Sequence, residues 1–171
     1  MKEQKAQEQP VVVQGAMSVE TAELIGAMTE TKEEPWGPWR IVRGRLFGHP
    51  LVISETQWGM ANAAALAAIA IERYHPAALI SQGTAGAHDA SLNVYDIVLG
   101  AQTVNESAWQ SHYRPAGAGA PYDDLKKLGV FAWDAEKGAF TQEVEHAADA
   151  GLLAAARRAV PRYTRGKVVE G

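Results

Sequence analysis

Continuous apolar runs alternate along the chain with mixed stretches in which small and charged residues recur. Residues 11–16 read VVVQGA, a β-branched run without polar alternation that predicts a strand buried on both faces of a parallel sheet. Ala22, Leu24, Ile25 and Met28 then recur at helical spacing, and Ser18 stands where the N-cap of that helix is expected. The charged, proline-bearing residues 30–38 break the pattern and predict a surface turn. Residues 39–47 set Ile41 and Leu46 against Arg40, Arg43 and Arg45, and Gly48-His49-Pro50 leads into Leu51 to Thr56, which together predict a β-hairpin. Residues 59–74 are rich in alanine and predict a helix lying close against the sheet until Pro76 ends it.

Further on, residues 77–81 predict the next buried strand, 83–93 a glycine-bearing loop and 94–103 another strand. Strand, helix, hairpin, helix, strand, loop, strand predicts an α/β fold, a three-layer domain around a central mixed sheet. Residues 106–125 carry Pro115, Gly117, Gly119 and Pro121 and predict a long loop of the functional or interfacial kind. A short ribbon is expected from 130–133 and 140–144, a helix opened by Asp149 over 152–160, and the start of one more strand at 167–170. A strand at the chain's end without its neighbours leaves a sheet edge and an apolar helix face uncovered. Residues 11–171 are therefore expected to be the N-terminal portion of a single domain, truncated on its C-terminal side. The charged and glutamine-rich residues 1–10 are expected to form a disordered tail.

Composition narrows the classes of partner. With 171 residues, 47% hydrophobic and 21% charged, the chain can bury one core and is neither collagen-like nor a coiled coil. A net charge of −4 provides no broad cationic surface to displace counterions from a phosphate backbone, so nucleic acid is not an expected partner. The longest apolar stretch, 63–71, is about half the ~20 residues of a membrane helix, so no membrane is expected either. No cysteine is present, which removes disulfides, thiolate zinc sites and cysteine nucleophiles together. The polar first ten residues lack the apolar centre of a signal peptide. The expected location is cytoplasmic if the protein begins at Met1, and outside the cell if a leader has been removed. His75, His88, His112 and His146 are scattered without ligand spacing, and surface or capping roles are expected for them rather than a metal site.

Three strand ends carry candidate chemistry. Gly15-Ala16-Met17-Ser18-Val19-Glu20 passes from strand to helix with a carboxylate in the first turn, either complementing the helix dipole or facing a ligand. Gly83-Thr84-Ala85-Gly86 follows a strand with small residues and one hydroxyl, either a tight turn or a close approach to a ligand. Thr56-Gln57-Trp58-Gly59 forms the third junction, where Trp58 is either core or pocket wall. In an open α/β sheet such ends lie together, and that is where ligands collect.

These residues, in order, resemble the nucleoside phosphorylase superfamily, on Gly15-Ala16-Met17 with Glu20, Trp58-Gly59-Met60-Ala61-Asn62, Gln82-Gly83-Thr84-Ala85-Gly86 and Val94-Tyr95-Asp96-Ile97-Val98. Within it they are most similar to the 5'-methylthioadenosine/S-adenosylhomocysteine nucleosidases. The resemblance implies hydrolysis of the N-glycosidic bond of a purine nucleoside without a cofactor. It makes Glu20 the catalytic, water-directing carboxylate and Ala16, Met17, Trp58, Thr84, Ala85 and Gly86 substrate-binding. It also implies a homodimer, or association with a missing C-terminal portion, with the 106–121 loop reaching a neighbouring subunit. Phosphorylases of the superfamily hold phosphate with arginines, one of them at the position of Ser81; a glutamate in the first helix turn repels phosphate and favours hydrolysis. Arg40, Arg43 and Arg45 read as a solvated strand face. Trp58, Ala87 and Tyr95 depart from the family pattern, and the family's Glu-Met-Glu segment and Ser-Asp acid are expected beyond residue 171. A phosphate-dependent phosphorylase and a nucleoside-binding module without the acid remain the alternatives.

Overall fold

The computed structural model describes residues 8–119 and 121–171; residues 1–7 of the expected tail lie outside the described residues. Two units, Met1–Gly86 and Ala87–Gly171, each pack on themselves.

The first unit runs β1 (Val11–Gly15), α1 (Ser18–Ala27), β2 (Thr29–Trp36), β3 (Trp39–Leu46), β4 (His49–Glu55), α2 (Met60–Tyr74) and β5 (Ala78–Ser81). The sheet order is β2-β3-β4-β1-β5. β1 pairs in parallel with β4 and β5, while β2–β3 and β3–β4 are antiparallel, so the sheet is mixed. Successive residues of a strand face opposite ways, and this sorts the core into two layers. Val12, Ile41 and Val52 pack with Leu66 and Ala70 of α2. Val13, Leu51 and Ile53 pack with Met28, joined by Leu24 and Ile25 of α1. The sheet is thus sandwiched between helices, α/β in three layers.

Two local expectations need correction. Residues 30–38 are not a turn: β2 occupies most of them, and only Gly37-Pro38 reverses the chain. β2 is the edge strand and mostly exposed, so it needs no apolar pattern, and an edge position tolerates Pro35. Nor is Ser18 the N-cap of α1; Met17 takes that place in extended backbone, and Ser18 is the first helical residue.

The second unit contains β6 (Ile97–Leu99), β7 (Gln102–Val104), β8 (Trp109–Gln110), β9 (Lys126–Lys127), β10 (Val130–Asp134), β11 (Ala139–Glu143), β12 (Glu145–Ala147), α3 (Ala150–Ala159) and β13 (Val168–Glu170). They pair as β6–β13, β7–β12, β8–β9 and β10–β11. Asp149 caps α3 by accepting from the Leu152 amide at 2.8 Å, as its position predicts. The strand expected over 94–103 is split. The Asp96 carboxylate accepts the amides of Asn93 and Lys167, both at 2.8 Å, and fixes a turn just ahead of β6. The Ala101 amide donates to the Gly171 carbonyl at 2.6 Å, in the break between β6 and β7. No described residue of this unit is fully buried.

Within that turn Tyr95 has φ of 76°, a left-handed conformation in which a side chain is strained. Its side chain is 66% exposed, so little packing offsets the strain. Tyr95→Gly is expected to stabilise the protein by up to about 1 kcal/mol, after the entropy cost of glycine, read as a higher urea midpoint; a lower midpoint would mean that the side chain contributes more than its backbone costs.

Candidate active site

The register of the parallel strands brings three strand ends together. Gly15 lies beside Glu55, and Gln14 beside Ser81, so β1, β4 and β5 end at one edge. The next residues are tied across: the Thr56 amide donates to the Gly15 carbonyl and the Gln82 amide to the Gln14 carbonyl, each at 2.9 Å.

Glu20 occupies the third position of α1, from which a carboxylate reaches back to the unpaired amides of the helix start. Its Oε2 accepts from the amides of Ala16 at 2.7 Å and Met17 at 3.0 Å. Its Oε1 accepts from the amide of Thr84 at 2.8 Å and the Thr84 hydroxyl at 3.0 Å. The Gln82 side-chain amide donates to the Glu20 carbonyl at 2.8 Å. One side chain therefore joins the turn after β1 to the segment after β5. Gly83 makes this approach possible, because a Cβ there would come within 2.7 Å of Oε1. Burial works against ionisation of Glu20, but the donors from Thr84, Met17 and Ala16 outweigh it and hold the carboxyl below its ordinary range.

A second carboxylate lies at the same edge. Glu55 ends β4 and is 8% exposed. Its Oε1 accepts from the Thr21 hydroxyl at 2.7 Å and Arg40 Nη1 at 3.0 Å, and its Oε2 from the Ser18 hydroxyl at 3.1 Å. Arg40 also donates to Glu33 at 3.0 Å. Beside these groups opens a cavity of about 630 Å³, with Ala16, Met17, Arg40, Glu55, Trp58 and Asn62 in its wall. Trp58 is 74% exposed and stands at the rim, not in the core.

Of the residues singled out in the sequence, Glu20, Ala16, Met17 and Thr84 meet through hydrogen bonds, and Trp58 joins Ala16 and Met17 in the cavity wall. Ala85 and Gly86 continue past Thr84 as exposed chain, outside the bonds that hold the carboxylate. Glu55 and its contact with Ser18 were not foreseen. The available signal was an acid closing the apolar run LVISE, a place where a carboxylate stays only if partnered. Arg40 is paired with two carboxylates while its side chain stays 39% exposed. A larger cavity, about 720 Å³, has Pro10, Arg43 and Tyr74 in its wall. There Glu34 gathers Arg43, Arg73, Lys32 and the Tyr74 hydroxyl, a network that ties β2 to β3 and α2.

The model of the phosphorylase superfamily matches residues 10–171. The chain is 35% identical over 88 residues to the 5'-methylthioadenosine/S-adenosylhomocysteine nucleosidase of Shewanella oneidensis, a match covering 52% of this chain and 37% of that protein. Its structure is similar to the nucleosidase of the same name from Neisseria meningitidis in complex with methylthio-immucillin-A, with TM-score 0.72, 27% identity and coverage of 95% of this chain and 62% of that one. The corresponding protein of Colwellia psychrerythraea, in complex with adenine, shares the fold with TM-score 0.73 at 24% identity, over 96% and 61% of the two chains. The chain therefore spans just over a third of the curated relative and about three-fifths of the solved ones.

A depressed carboxyl stabilises the fold above the unfolded-state value, and that contribution disappears as pH falls through the folded-state value. Glu20→Gln should accordingly cost stability at neutral pH, and the gap from the parent protein should close as pH drops below 4.5, the ordinary glutamate value. Urea midpoints at pH 7 and pH 3 check this; a gap that stays constant would mean that Glu20 is not held ionised.

Proposed function

The chain belongs to the phosphorylase superfamily, and from that premise we propose that the protein hydrolyses the N-glycosidic bond of a purine nucleoside of the 5'-methylthioadenosine or S-adenosylhomocysteine type, with Glu20 directing the water. The observation that carries this reading is the Glu20 carboxylate, kept anionic by Ala16, Met17 and Thr84 at the edge where three strands end. A carboxylate oxygen offers about two acceptor sites, and all four on Glu20 are taken by the protein's own donors. Three of those donors are fixed backbone amides. The fourth is the Thr84 hydroxyl, the one proton that bond rotation can turn elsewhere. Water enters by displacing it: one water hydrogen then points at Oε1 and the oxygen is aimed at the anomeric carbon. As the bond from C1' to the purine nitrogen breaks, its electron pair leaves with the base, which takes a proton from an acid of the full-length protein outside these residues or from solvent. The water oxygen bonds to C1' and its proton passes to Glu20.

Charge favours water over phosphate as the nucleophile. Glu20 and Glu55 put two carboxylates at this edge, and Arg40 is already shared between Glu55 and Glu33, so a phosphate dianion would meet net repulsion. Ala16, Met17 and Trp58 supply the wall against which a sugar and its 5' substituent lie, and the exposed Trp58 offers an apolar face to that substituent. In this reading the protein works as a homodimer. The exposed aromatics Phe131, Trp133 and Phe140 of the β10–β11 ribbon support that, being the kind of surface that association covers.

The test uses the full-length protein, since this chain spans 62% of the Neisseria nucleosidase. Release of adenine from 5'-methylthioadenosine should proceed without phosphate and stay unchanged when phosphate is added. Glu20→Gln should lower kcat by about 100-fold or more, the range of a lost general base. Strict dependence on phosphate, with 5-methylthioribose 1-phosphate as product, would instead establish phosphorolysis.

A further inference from the structure

We propose that Glu55 is a positioning residue for Glu20, holding the first turn of α1 in the place from which Glu20 can be gripped. Glu55 and Glu20 share no donor, and their connection runs through the helix. Ser18 and Thr21, which donate to opposite oxygens of Glu55 at 3.1 and 2.7 Å, bracket Glu20 within that turn. Thr21 is fully buried and its methyl group faces Gly15, where a Cβ would come within 2.9 Å of it. The turn thus has no room to settle closer to β1. Ala16 and Met17 connect this pinned turn to the end of β1, so the direction of their amides follows from where Glu55 sets it. Arg40 supplies the counter-charge, donating to Glu55 Oε1 at 3.0 Å, and is itself steadied from the other side by Glu33 at 3.0 Å. A carboxylate suits this place for a simple reason. It accepts from three donors on two oxygens, whereas an amide would present N–H groups toward the guanidinium or the hydroxyls. The order of dependence is Glu33, Arg40, Glu55, the first turn of α1, then Glu20.

A purely architectural ion pair between β3 and β4 would stabilise the protein without caring about Glu20, and the two cases separate in a double-mutant cycle. The kinetic readout rests on the hydrolytic reading of Glu20; the second readout does not. In the full-length protein, Glu55→Gln is expected to lower kcat for 5'-methylthioadenosine about 10-fold with KM changed less than about 3-fold, and to lower it no further once Glu20→Gln is present. Equal losses in both backgrounds, or an unchanged kcat, would overturn the proposal. If Glu20→Gln itself left turnover intact, the hydrolytic reading would fail, and amide hydrogen exchange would decide the positioning role alone. Thr21→Val, which removes a single hydroxyl and keeps the Arg40–Glu55 pair, serves as the milder variant should Glu55→Gln fold poorly. In either variant the amides of Ala16 and Met17 are expected to exchange about 10-fold faster while those of Val13 and Ile53 in the strands do not. Uniform acceleration, or none, would overturn the proposal.

Discussion

A single carboxylate carrying four hydrogen bonds is the constraint around which this structure is arranged. Glu20 draws on the helix-start amides of Ala16 and Met17 and on both donors of Thr84, and so fastens two segments 64 residues apart. Ionising a partly buried acid is unfavourable, and it succeeds only because each donor interacts more strongly with a charged acceptor than with a neutral one. Everything close by accommodates that bargain. Gly83 is bare because a Cβ would strike the carboxylate, Gly15 is bare because one would strike Thr21, and the register setting Gln14 beside Ser81 brings the Thr84 segment within reach.

Glu55 repeats the pattern one strand away, with hydroxyls and a guanidinium in place of amides. Two acids at one strand edge repel one another and any anionic ligand, yet the structure compensates them separately: Glu20 by backbone dipoles, Glu55 by Arg40. Neither solution leaves a free cation for phosphate among the groups that hold the two carboxylates. The same electrostatics that stabilise the edge disfavour an anionic nucleophile there, which links folding to the proposed chemistry.

Local patterns in the sequence announced β1, α1, the β3–β4 hairpin, α2 and β5, since a buried strand must be apolar and a helix against a sheet must be smooth. β2 escaped because its residues, TETKEEPW, need satisfy only one neighbour and solvent. The turn that shortens the expected 94–103 strand at its start escaped because its cause, the Asp96 carboxylate accepting from the Lys167 amide, lies 71 residues away. The site divides along the same line. Glu20 with Ala16 and Met17 was legible as a carboxylate in a helix start, and Gly83-Thr84 as a small-residue turn. That Gly83 makes room for a side chain of this protein rather than for a ligand needed coordinates. So did Glu55, whose partners Ser18, Thr21 and Arg40 are separated from it by 37, 34 and 15 residues.

The most direct measurement is a carboxyl carbon NMR titration of Glu20 in the unmodified protein. A midpoint clearly below the ordinary 4.5, accompanied by downfield amide protons at Ala16, Met17 and Thr84 that move with the same midpoint, is the expected result. A midpoint at or above 4.5, or amides indifferent to it, would contradict the four-donor grip and the anionic site built on it.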